Sequence, residues 1–426
     1  MHNHKLGRDF GWLWTAYGVS TFGTFFALNA YSYIAIRVLH SGTTQVSLLS
    51  AVGTAAGALL ALPLGPWTEF RRKRPVMIAM DLVRFAAQLS LPLAYAMGVL
   101  SFAQLMGVAV IVSGANVVFK SASGANLKSL VHPSDLLVAN ARFESTTWTA
   151  SVLGSSMSGV AIGIFGPVIT VTGDAVSYLL SALGIGFIRA REPAPPPARG
   201  GFSVAEVMDG WRYIFGHRTL RLFFFNSVSV NSLIMVGAPV LAVLMLDDLR
   251  FTAWEYGLSF GIPCIGGLIG SRLARRLVAR YGRQAVLLTA GTARTVWPIG
   301  LAFIGPGLPG LAEVIGIELG LIISCSVYNP PSATYRLEQS PPDRVSRVLS
   351  AWSITQNLAM ALLIVAWGVL AEVTGPRVAL FVAGILLLGT PLLLPRHLAP
   401  APRDPLRERE QRSGELGRRG RSVRVD

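Results

Sequence analysis

About twelve runs of roughly 20 apolar residues, separated by short polar breaks, leave this chain few folds to adopt. They read 10–36, 45–67, 76–98, 101–119, 143–165, 168–188, 219–246, 253–271, 285–305, 308–330, 348–371 and 375–395. In a bilayer each such run must satisfy its own backbone hydrogen bonds, which a helix does and an open strand does not. Only 14% of the 426 residues are charged, whereas soluble domains carry roughly a quarter, so the chain is expected to be an all-α membrane protein of twelve transmembrane helices. Lys5 and Arg8 precede the first run, but 10–36 is too long for the apolar core of a signal peptide and reads as a retained span.

The net charge of +15 is placed as a membrane requires. With the N-terminus inside, outward loops hold only Arg37, Arg250 and Arg377, and nearly all other cations fall on the cytoplasmic side. That distribution argues against nucleic acid and predicts a multi-pass cell-membrane protein with both termini cytoplasmic. Arg189 is followed by a Pro- and Gly-rich linker, RAREPAPPPARGG, and by an amphipathic helix over 203–217. The expected organisation is a six-helix bundle (1–189), a cytoplasmic linker (190–218), a second six-helix bundle (219–395) and a basic, disordered tail (396–426) near anionic lipid. The bundles repeat: Ser50 matches Ser259, Arg84 matches Arg294, and His132-Pro-Ser-Asp135 matches Ser340-Pro-Pro-Asp343. The fold expected is therefore two pseudo-symmetric halves.

No HExxH, no nucleotide-binding loop and no Cys/His cluster is present, so an enzyme, a metal site and a cofactor are not expected. Cys264 and Cys325 fall within spans and read as packing thiols. Ionisable groups inside the membrane are costly and mark function. Glu318 lies ~15 Å into span ten at 1.5 Å per residue, which makes it the first candidate proton carrier, followed by Glu313 and Asp174. Arg294 is a candidate partner for an anionic substrate or for Glu318. Asn29, Tyr31, Tyr33, Asn116, Asn226, Asn231, Tyr328 and Gln356 offer a cavity lining for an amphipathic small molecule. Gly154, Gly159 and Gly163 of span five permit close helix approach.

Between spans two and three stands LGPWTEFRRKRPVM. Gly65, Glu69, Arg71, Arg72, Lys73 and Arg74 read as a cytoplasmic gate, joined by Asp81 and Arg84 at i,i+3 and by Arg142 and Glu144 at the start of span five. This stretch resembles the loop signature of the major facilitator superfamily, with Gly65 for its glycine, Glu69 for its aspartate, and Lys73 and Arg74 for its closing pair; Phe70 and Arg72 depart from it. PLGPWTEFRRKRPVMIAMDLVR, ANARFESTTW and TGDAVSYLLSA resemble the branch containing enterobactin-type siderophore exporters and macrolide-efflux proteins. In that branch Gly-Asp is frequent in span one, whereas here Thr24 follows Gly23. The antiporter Gly-Pro pair within span five is missing, since Ser155 follows Gly154. The resemblance implies a monomeric, proton-coupled exporter working by alternating access. Importing a metabolite or lysolipid, or acting as a non-transporting sensor or scaffold, are the alternatives.

Overall fold

The computed structural model describes residues 7–69, 71–132, 135–190, 192, 204–340 and 345–395. Residues 191 and 193–203 of the linker, the two polar tetrads in part, Phe70 and the tail 396–426 lie outside the described residues. Among the described residues ten helices are long and apolar enough to cross a membrane, and helical runs occupy all twelve predicted positions. They are span one (8–38), two (Thr43–Glu69), three (Lys73–Ala96), four (Phe102–Leu130), five (Leu136–Phe165) and six (Pro167–Gly186). Spans seven to twelve are Arg218–Asp248, Ala253–Tyr281, Arg283–Phe303, Gly307–Glu338, Val345–Thr374 and Pro376–Leu393. The amphipathic helix is Val204–Gly216. It lays Trp211 against span eleven, where the indole donates to Thr355 Oγ1 at 2.9 Å.

Local sequence explains the ends. Ser101 caps span four by accepting from the Gln104 amide, and Thr252 with Glu255 forms a capping box on span eight. Spans six and twelve each start with a glycine at positive φ (Gly166, Gly375) followed by proline, which pre-sets the first helical turn. Span one breaks at residues 27–29, resumes, and ends in a π-turn over Ile34–Val38 with His40 at φ 49°. Span seven ends the same way, in a π-turn over Leu244–Asp248 with Arg250 at φ 57°. Side-chain and backbone repeats thus share one offset of about 210 residues.

Within the first six spans, three packs on four and six, and one packs on five and six; among the last six, ten packs on eight and nine, and eleven on seven. Two long crossings join the sets, span two with eleven and span five with eight. Near the ends that carry the short loops these crossings are tight. A Cβ at Gly159 would lie 2.5 Å from the Gly257 Cα, so only paired glycines allow the contact. Gly368 sits against Thr44 and Ser47, and the Thr44 amide donates to Glu372 Oε2 at 3.1 Å. Toward the basic ends, spans two and eleven part around a cavity between Gly53–Gly57 and Ser350–Asn357.

Candidate functional site

Two buried arginines, at repeat-equivalent positions, organise the interior. Arg84 of span three is 2% exposed and forms a buried ion pair with Asp81 one turn earlier. Its guanidinium lies 4.4 Å from the Phe119 ring centre and 4.3 Å from that of Tyr178, a cation–π sandwich between spans four and six. A second carboxyl follows. Asp174 of span six lies within electrostatic reach of Arg84 and accepts from Gln88 Nε2 at 2.8 Å. Gln88 Oε1 in turn accepts from the Tyr31 hydroxyl at 2.5 Å. The Ser177 hydroxyl donates to the Asp174 carbonyl at 2.7 Å, and Thr24 Oγ1 pairs with the Tyr178 hydroxyl at 3.1 Å. A Cβ at Gly23 would collide with Ser177 and come 2.9 Å from Asp174. The acid beside this part of span one is therefore supplied by span six.

Arg294 of span nine is 1% exposed and has no carboxylate partner among the described residues. It donates to Asn226 Oδ1 at 2.8 Å and lies 3.6 Å above the Tyr328 ring. Asn226 Nδ2 is spent on the Thr390 carbonyl at 2.9 Å. These three candidates form a closed cluster rather than a free cavity lining. Glu318 does not join it.

Glu318 instead faces a cavity of about 420 Å³ whose wall is almost wholly apolar, including Phe25, Trp148, Phe260, Leu301 and Leu321. Cys264, Cys325, Ser326 and Asn329 are its other polar or polarisable neighbours. No hydrogen bond or ion pair reaches this carboxyl among the described residues, so as an anion it has nothing to repay its lost hydration. Glu313 is different: it is exposed at the short-loop end and accepts from the Gly305 amide at 3.2 Å.

The remaining candidates scatter. Asn29 is buried at the break in span one, and Tyr33 packs on the central apolar cluster. Asn231 donates weakly to Ser227 at 3.3 Å, and Gln356 is half-buried on span eleven. Asn116 lines the polar cavity between spans two, four and eleven. At the basic end, Lys73 Nζ donates to the carbonyls of Thr68 and Arg71, each at 2.7 Å. The Lys73 and Arg74 amides face Glu192, Arg74 also reaches the Gly186 carbonyl, and Arg71 and Arg72 are exposed. The surroundings of Gly65 and the side chains of Glu69 and Glu144 lie outside what the structure describes. Asp81 and Arg84 stand apart from this cluster, inside the bundle. Arg142 is exposed on span five and lies 5.8 Å and 5.7 Å from the ring centres of Phe10 and Trp14, at a groove between spans one and five.

Sequence reading missed Lys120. It ended span four at 119, but the helix continues to Leu130 and puts Lys120 in the polar cavity with Asn116. The signal was available, since no proline interrupts SASGANLKSL before Pro133.

Comparison with known proteins fits this architecture. The Major Facilitator Superfamily description matches residues 13–324. The chain belongs to that superfamily and is a multi-pass membrane transporter of a small molecule, not an enzyme. It is 25% identical over 416 residues to an uncharacterized MFS-type transporter, YvqJ, of Bacillus subtilis (strain 168), covering 95% of this chain and 96% of that one. The nucleoside transporter NupG shares the fold at TM-score 0.73 and 11% identity, over 90% of this chain and 98% of that one. A bacterial homologue of the iron transporter ferroportin, in an inward-facing state, does so at TM-score 0.68 and 18% identity, over 89% and 98% of the two chains.

Proposed function

We propose that this transporter is a proton-coupled exporter of an amphipathic small molecule, with Glu318 as the proton carrier. The observation that supports it most is the unpaired Glu318 carboxyl in an apolar cavity of about 420 Å³. A carboxyl so placed is tolerated when protonated and becomes costly when it must be an anion. An amphipathic molecule fills such a wall with its apolar part. Export is favoured by the likeness of PLGPWTEFRRKRPVMIAMDLVR to the siderophore-exporter and macrolide-efflux branch.

The working units are the halves 1–189 and 219–395, linked by 190–218, in a monomer of the cell membrane with both termini cytoplasmic. If the basic ends are inside, the tight Gly159–Gly257 and Gly368–Ser47 contacts would close the outer side, an inward-facing arrangement. Rocking about the crossings of spans two with eleven and five with eight would exchange the open side. In the outward-facing form, the basic cluster Arg71–Arg74 with Glu69 would close the cytoplasmic side. The basic tail would lie on anionic lipid.

Proteoliposomes with an enclosed pH dye, challenged with a panel of amphipathic compounds, test this reading. Substrate-dependent proton flux is expected, reduced about tenfold or more in Glu318→Gln, as for loss of an essential acid–base group. Flux unchanged in that variant would move coupling to the Asp174 cluster. Uptake against the expected direction would establish the importer.

A further inference from the structure

Lys120 occupies an unusual position for a lysine. It sits on span four ten residues before the helix ends, or ~15 Å from that end at 1.5 Å per residue. Its ammonium has no hydrogen bond or ion pair among the described residues. It lines a cavity of about 600 Å³ whose other polar walls are Thr54, Ser113, Asn116, Ser350, Ser353 and Asn357. All of these are neutral, and no carboxylate among the described residues lines the space. Lys120 is exposed to this open, polar cleft, and a cation there, ringed by hydroxyl and amide donors, concentrates anions.

We propose that this cavity is the subsite for an acidic group of the transported molecule, a carboxylate, phosphate or sulfonate, with Lys120 as its counter-ion. The proposal rests on the transport reading above and narrows its substrate to an amphipathic anion. It also supplies a link to movement. Lys120 and Asn116 stand on span four, whereas Ser350, Ser353 and Asn357 stand on span eleven across the gap. An anion held by both walls draws the basic ends of the two helix sets together. Occupancy therefore favours closure on the side from which the anion entered.

The test places a thiol in the cavity of the full-length protein. Ser353→Cys is built in a background of Cys264→Ser and Cys325→Ser, which removes both native thiols. In vesicles of phosphatidylcholine alone, the thiol is labelled in parallel with a negatively charged sulfonatoethyl and a positively charged trimethylammonioethyl thiosulfonate. With Lys120 present, the anionic reagent is expected to gain, and Lys120→Gln to lower the anion-to-cation rate ratio about fivefold or more, with Lys120→Arg preserving it. Naphthalene-2-carboxylate is expected to slow labelling, and the isosteric naphthalene-2-carboxamide not to. A rate ratio indifferent to Lys120→Gln, or equal protection by carboxylate and carboxamide, overturns the proposal. So does protection produced by adding phosphatidylglycerol with no solute, which would assign the site to a lipid headgroup. Failure of proton coupling at Glu318 would leave these labelling ratios unmoved, so the two readings fail separately.

Discussion

The two arginine clusters start from the same scaffold and solve the same burial problem in opposite ways. Arg84 and Arg294 stand at equivalent places, and so do the rings beneath them, Phe119 and Tyr328. In the first half the cation is balanced by carboxyls, Asp81 directly and Asp174 through the surrounding network. In the second half the position equivalent to Asp81 is Gly291. A Cβ there would come 3.0 Å from the Tyr328 ring, so losing the acid makes room for the aromatic ring to close on the guanidinium. The second half keeps its charge with an amide and a π-face and places its carboxyl, Glu318, on a cavity instead. Duplicated architecture therefore does not duplicate electrostatics. A locked pair suits a structural hub, and an unpaired carboxyl suits a group whose charge must change during a cycle.

Breaking the first cluster should have the largest effect. Arg84→Ala leaves Asp81 and Asp174 buried without their cation, a loss of about 3–5 kcal/mol. Thermal unfolding of the detergent-solubilised protein should show a large drop in Tm, and an unchanged Tm would refute the charge-balanced hub. Asn226→Leu attacks the second cluster more mildly, because it removes one acceptor from Arg294 and one donor from the Thr390 carbonyl. A cost of about 1–3 kcal/mol is expected, readable in the same melts, and Asn226→Asp, which returns the acceptor for Arg294 but sets a carboxylate oxygen against the Thr390 carbonyl, should recover only part of the native Tm. The smallest effect is expected of Tyr328→Phe. Tyr328 offers Arg294 its ring face, and its hydroxyl has no aligned partner among the described residues. The change should stay within about 0.5 kcal/mol; a larger loss would show that the hydroxyl, not the ring, holds the arginine.

Much of this molecule was legible in the chain alone. Apolar runs of lipid length located the helical segments, because hydropathy and helical rise are local properties. The repeat paired Arg84 with Arg294 before any packing was known, and the glycines of span five announced a close approach later found at Gly257. Tertiary structure decided which polar groups meet. Asp81 and Arg84 read as part of a surface gate, yet they form a buried pair, because Asp174 and Tyr178 arrive from another helix some 90 residues away. Arg294 and Glu318 read as possible partners, yet Asn226 and Tyr328 claim the arginine first. Lys120 fell just past the predicted end of span four and is a cavity wall, because that helix runs on past its apolar stretch. Period and composition say that a side chain is costly in lipid; only the helix facing it says whether that cost is met by a partner or left open for a substrate.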